Sequence, residues 1–132
     1  MNEDQEIEEA LLSTYIEQVY PFMEYGYWAV VRQEDNQLIG KAGLTPRSLD
    51  GKQYTELGYL IHRDYRGQGY GLEACREIIR LSKSYFDIKQ LHCFIHRKNH
   101  GSFEFAKKLG FEMSGRVEIG NQEHIQMIYR ME

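Results

Sequence analysis

The stretch Ile61-His62-Arg63-Asp64-Tyr65-Arg66-Gly67-Gln68-Gly69-Tyr70-Gly71-Leu72 joins two unlike patterns. Tyr54 to Ile61, ahead of it, is strand-like. Tyr70 to about Tyr85, behind it, is helix-like: Leu72, Ala74, Cys75, Ile78, Ile79 and Leu81 give the broad apolar face of a helix that packs on a sheet. Gly67, Gly69 and Gly71 sit at alternate positions in the joint. The first N–H groups of a helix have no internal partner, and the helix dipole adds partial positive charge there. Glycines let an anion approach the main chain closely, and Arg66 adds a cation at the lip. A plain glycine-rich turn is the competing reading, because short glycine motifs recur by chance. The dinucleotide fingerprint needs Gly-x-Gly-x-x-Gly, whereas these glycines run Gly-x-Gly-x-Gly; a P-loop needs a following Gly-Lys-Ser/Thr, which is absent.

Working outward, Ile7, Ala10, Leu11, Thr14, Tyr15 and Val19 recur at helical spacing, so a helix is expected from about Asp4 to Val19, ended by Pro21. Tyr27 to Val31 reads as a strand, Glu34-Asp35-Asn36 as a turn, and Gln37 to Leu44 as the return strand. Pro46 to Asp50 is expected to be a loop, with Asp50-Gly51 a turn before the strand Tyr54 to Ile61. Leu91 to Ile95 is the next strand, and a strand–helix–strand crossover makes it the parallel neighbour of Tyr54 to Ile61. Ser102, Phe105, Ala106 and Leu109 give a short helix closed by Gly110. Phe111 to Ile119 and Gln122 to Tyr129 complete a hairpin around Gly120-Asn121.

A chain of 132 residues reads as one domain, residues 1 to 132, and 42% apolar with 27% charged residues is ordinary for a globular protein. The net charge of −4 argues against non-specific nucleic-acid binding. The 10 tyrosines come with no basic stripe, so Tyr25, Tyr27 and Trp28 are expected in the core or in a groove rather than on stacked bases. No apolar run approaches the length of a membrane span, and the acidic Met1 to Glu9 lacks a signal-peptide h-region, so a cytoplasmic location is expected. Cys75 and Cys93 read as buried free thiols. His92, His96 and His100 run from a strand into a loop and are not expected to converge, so no metal centre is expected.

Arg66-Gly67-Gln68-Gly69-Tyr70-Gly71 resembles the Gln/Arg-x-x-Gly-x-Gly/Ala acyl-CoA signature of the GNAT superfamily of N-acetyltransferases. Asn99-His100-Gly101-Ser102 and Lys108-Leu109-Gly110-Phe111 resemble the family's later Asn-x-x-Ser and Lys-Leu-Gly-Phe segments. Glu56-Leu57-Gly58-Tyr59 resembles the branch that includes ribosomal-protein N-terminal acetyltransferases (acetyltransferase domain type 3). The resemblance implies a mixed α/β fold, a mostly antiparallel, splayed sheet with helices on both faces. It also implies acetyl-CoA as donor cosubstrate and a primary amine, small molecule or protein N-terminus, as acceptor. Relatives usually begin with a strand and a longer helical segment, whereas one expected helix precedes the first hairpin here. A second copy of the chain could supply such a strand, so a homodimer is one expectation.

By the same resemblance, Gly67, Gln68, Gly69, Tyr70, Gly71 and Leu72 hold the pyrophosphate, with Arg66 at its border. Tyr59, Leu60 and Ile61 pair with the pantetheine arm, and Asn99 contacts it. Arg66 is otherwise a solvated surface arginine, and Asn99 otherwise a helix cap or turn residue. Many relatives carry a tyrosine as general acid seven positions after this asparagine; Ala106 stands there and cannot serve. In the ribosomal-type branch a serine three positions after it takes that part, which points to Ser102 as acid; capping the short helix is its other role. Glu56, a charged residue in a central strand, is the candidate base, either directly or through a water. Two alternatives stay open: a CoA-binding protein without significant catalysis, and a nucleotide-binding module.

Overall fold

The computed structural model describes residues 26–131. Strand β1 (Gly26–Arg32) turns at residues 33–36 into β2 (Gln37–Leu49), and β2 turns at Asp50-Gly51 into β3 (Lys52–Ile61). Asp50 and Gly51 have φ of 50° and 78°, the left-handed pair of a two-residue hairpin turn. A single 3₁₀ turn, Arg63–Tyr65, leads to helix α1 (Tyr70–Ser84). Then come β4 (Gln90–His96), α2 (His100–Leu109), β5 (Glu112–Ile119) and β6 (Gln122–Arg130). Gly120 and Asn121, at φ 59° and 62°, make the expected last turn.

The six strands form one sheet in the order β1-β2-β3-β4-β6-β5. All pairs are antiparallel except β3 with β4, which is parallel as expected. That parallel ladder has a single register pair, Glu56 with His92. Beyond it the strands part, while β3 stays paired to β2 as far as Ile61 and β4 to β6 as far as His96. The sheet is therefore mixed, mostly antiparallel and splayed at its centre.

Both described helices pack on one face. Leu57, Tyr59 and Ile61 alternate onto that face. A Cβ at Gly71 of α1 would sit 3.4 Å from the side chains of Tyr59 and Ile61, and Phe105 of α2 stacks on Tyr59 at 4.3 Å. Trp28, Val30, Leu44, Ile78, Leu81 and Leu91 belong to one buried cluster beneath them. Of the helices expected on the two faces, α1 and α2 take this one; the helix expected from Asp4 to Val19, like Tyr25, lies outside the described residues. Trp28 is buried in the core.

One expectation fails. Pro46 to Asp50 is not a loop, because β2 runs on to Leu49. β1 ends opposite Leu44, so Pro46 lies where β2 has only β3 beside it among the described residues. Proline is tolerated on such an edge because its missing N–H breaks no ladder.

Candidate functional site

The joint between β3 and α1 is built by backbone geometry. His62 Nδ1 accepts from the Asp64 N–H at 3.3 Å, and Arg66 Nε donates to the Ile61 carbonyl at 2.7 Å. Gly67 and Gly69 take φ of 77° and 89°, a region costly for residues with a Cβ. Gly69 is the N-cap residue of α1, and the first helical bond runs from the Glu73 N–H to the Gly69 carbonyl at 3.1 Å. The N–H groups of Gly71 and Leu72, in the first turn, precede the first intrahelical bond and face the helix start.

These residues form one wall of a cleft of ≈ 800 Å³. Tyr59, Leu60 and Ile61 of β3 are a second wall, and Asn99, Ser102 and Phe105 of α2 a third. Every expected cofactor-binding residue except Gln68 lines this cleft, and Gln68 sits exposed in the joint between two that do. Four further residues line it that were not expected as site residues: Tyr65, Gly101, Phe105 and Lys108. Lys108 lay within a quoted motif and could have been read as a cation facing Arg66 across the cleft.

The local sequence places the third wall. Asn99 caps α2: its Oδ1 accepts from the Ser102 N–H at 3.1 Å. Ser102 is therefore not the helix cap. Gly110, at φ 107°, ends α2, with the Gly110 N–H bonded to the Lys107 carbonyl and the Phe111 N–H to the Ala106 carbonyl, each 3.0 Å. This is a Schellman closure, which fixes the helix against β5. Burial pushes the Tyr59 phenol above its ordinary value.

A smaller cavity of ≈ 170 Å³ adjoins the cleft and shares Tyr59, Ser102 and Phe105 with it. It is bordered by Leu57, Cys93 and Ile95, which alternate to the helix-bearing face, and by Glu56, Gly58 and Phe94, which alternate to the other. It thus lies in the gap where β3 and β4 part. Burial first, then the nearby Glu56 carboxylate, pushes the Cys93 thiol up to about 12. Ala106, 2% exposed, borders the same cavity.

Glu56 is half-buried and paired. Arg47 holds both its oxygens, Nε to Oε1 at 3.0 Å and Nη2 to Oε2 at 3.2 Å. Arg47 escaped the sequence reading because it fell in the expected loop. Neither Cys75 nor Cys93 forms a disulfide; Cys75 is buried and Cys93 half-buried. His92, His96 and His100 stay apart: His92 is buried on β4, His96 meets His124 edge-on at 5.3 Å, and His100 starts α2. Among the described residues no helix is long and apolar enough to cross a membrane.

Comparisons with known proteins bear on the fold and the family. The family model described as an acetyltransferase (GNAT) domain matches residues 2–112. The uncharacterized protein YkkB of Bacillus subtilis (strain 168) is 24% identical over 103 residues, 75% of this chain and 60% of YkkB. The chain thus spans 60% of that relative's length. A ribosomal-protein-S5-alanine acetyltransferase from Vibrio fischeri superposes with a TM-score of 0.72 at 18% identity, covering 92% of this chain and 69% of that one. A spermidine N-acetyltransferase SpeG chimera from Vibrio cholerae and hSSAT gives a TM-score of 0.69 at 15% identity, covering 92% of this chain and 75% of that one. At such identities the structures attest the fold, and the family model attests the membership: the chain belongs to the GNAT acetyltransferase family.

Proposed function

We propose that the chain binds acetyl-CoA in the cleft between α1 and α2 and transfers its acetyl group to a primary amine by direct attack in a ternary complex. The observation that carries this reading is the continuity of the cleft with the gap between β3 and β4. The glycine joint, the edge of β3 and Glu56 lie along one path.

The residues fit the donor. The N–H groups of Gly71 and Leu72 in the first turn of α1 suit a pyrophosphate, with Gly67, Gln68 and Gly69 keeping the approach open. Arg66 and Lys108 add positive charge from two walls. Among the described residues β3 has no ladder pair with β4 beyond Glu56, so the edge at Tyr59, Leu60 and Ile61 can pair with the amides of a pantetheine arm. Asn99 offers its remaining amide hydrogens at the cleft wall. When bound, the donor supplies a thioester whose carbonyl carbon accepts a nucleophile.

The chain then has three tasks. It holds amine and thioester together, which itself supplies much of the acceleration. Glu56, reached through the gap, accepts a proton from the amine directly or through a water. Ser102, bordering both cleft and cavity, donates a hydrogen bond or proton to the departing sulfur. Replacing Glu56 by Gln is expected to lower kcat about 100-fold while leaving acetyl-CoA affinity within about twofold. A free-thiol release assay with an amine panel, alongside calorimetry, tests both halves. Binding without thiol release for any amine would favour the second reading, a CoA-binding protein without significant catalysis. Two observations point that way: the buried methyl of Ala106 at the cavity wall, and the hold of Arg47 on Glu56.

A further inference from the structure

We propose that the Arg47–Glu56 pair recognises the acceptor, and that the acceptor is a small aminocarboxylate, an amine carrying its own carboxylate, of the α-amino acid class. This rests on the amine-acetylation reading above. Thr45 pairs with Glu56 and Arg47 with Tyr54, so the guanidinium reaches diagonally across two strands. The side chains of Arg47 and Glu56 are 36% and 17% exposed, so both charges are partly desolvated and still reachable. They sit on the face opposite α1 and α2, at the one register pair that joins β3 and β4.

The surroundings are built for an organic ligand. Phe94 lies under the guanidinium at 5.7 Å. Tyr54 stands edge-on to His92 at 4.8 Å and to Phe94 at 5.4 Å. His92 is the register neighbour of Glu56, is 7% exposed, and its Nδ1 is buried with no hydrogen-bond partner among the described residues. A buried orphan nitrogen is costly and rare in a finished core, and a bound polar group would satisfy it.

Charge complementarity selects the class. A zwitterion can place its carboxylate on Arg47 and its ammonium on Glu56, so each protein charge exchanges one partner for another and none is stranded. A diamine would leave Arg47 facing a cation, and an amide-blocked amine would leave it unpaired. For transfer the bound ammonium gives up two protons. Nitrogen forms its bond to the acetyl carbon as the carbon–sulfur bond breaks; one proton ends on the CoA sulfur and the other in solvent, leaving an amide and a free thiol.

The test compares kcat/KM for an α-amino acid, its carboxamide and a linear diamine, with acetyl-CoA binding measured in parallel. The amino acid is expected to lead by roughly 10- to 100-fold, mainly through KM. Arg47→Gln should erase that lead, and Arg47→Lys should keep part of it, with acetyl-CoA affinity unchanged in both. The wild-type comparison needs no variant, so a folding defect cannot mask the result. A carboxamide or diamine used as well as the amino acid overturns this inference alone. So does a preference that survives Arg47→Gln. Acetyl-CoA bound with no amine acetylated overturns this inference together with the transfer reading, and absence of acetyl-CoA binding overturns the donor site as well.

Discussion

Gly69 invites a charge-insertion test, but its φ of 89° would strain any side chain and confuse fold with binding. Gly101 avoids that problem. A Cβ there meets only Asn99 Oδ1, at 3.9 Å, and the residue lines the cleft in the first turn of α2. Gly101→Glu adds an acid where the helix dipole favours one and removes a helical glycine, so thermal stability should hold or rise. Its carboxylate should weaken acetyl-CoA binding at least about tenfold by calorimetry; unchanged affinity would remove the cleft from the donor path. Asn99→Ala removes the cap of α2, with an expected cost of about 1 kcal/mol by denaturant unfolding. Asn99 also shows how two sequence readings can hold at once: its oxygen caps the helix while its residue borders the cleft.

Elements defined by turn chemistry and crossover rules were legible in advance: the hairpin turns, the parallel β3–β4 neighbours and the Gly110 closure follow from local residue types. β2 beyond Leu44 was not, because Pro46 reads as a breaker until its edge position is known. Asp50-Gly51 held the missing signal, since a two-residue hairpin turn needs strand on both sides. Running β2 back from that turn sets Arg47 diagonally opposite Glu56, and so the ion pair as well. The splay itself had no sequence signal; only the resemblance implied it. It has a chemical signature in Cys93, whose Sγ lies 3.7 Å from the Leu57 carbonyl across the gap. With Cys75 buried and Cys93 pushed up to about 12, neither thiol should react with an aromatic disulfide reagent at pH 8 until the protein unfolds, when both should. Rapid labelling of Cys93 in native protein would mean that the strands separate much further than this.

Across the described residues, the sheet serves as a partition: the proposed donor cleft on the face that carries α1 and α2, an ion pair with aromatic walls on the other, and a gap between them. One buried group couples that arrangement to pH. Burial first, then the Arg130 charge, holds the His92 imidazole below its ordinary value. The unfolded chain therefore binds the extra proton more readily, and stability falls as pH drops through about 6.5 toward the lower folded value. Melting temperature should decline from pH 7 to 5, and His92→Gln should flatten part of that decline; an identical slope in the variant would assign it to other groups. The donor site underlies everything proposed here, so the decisive measurement is calorimetric titration of the purified protein with acetyl-CoA, with ATP and NAD as controls. Saturable binding of acetyl-CoA, with neither control competing, is the expected result. No binding, or binding that ATP displaces equally well, would contradict it and leave the glycine joint a turn or a nucleotide site.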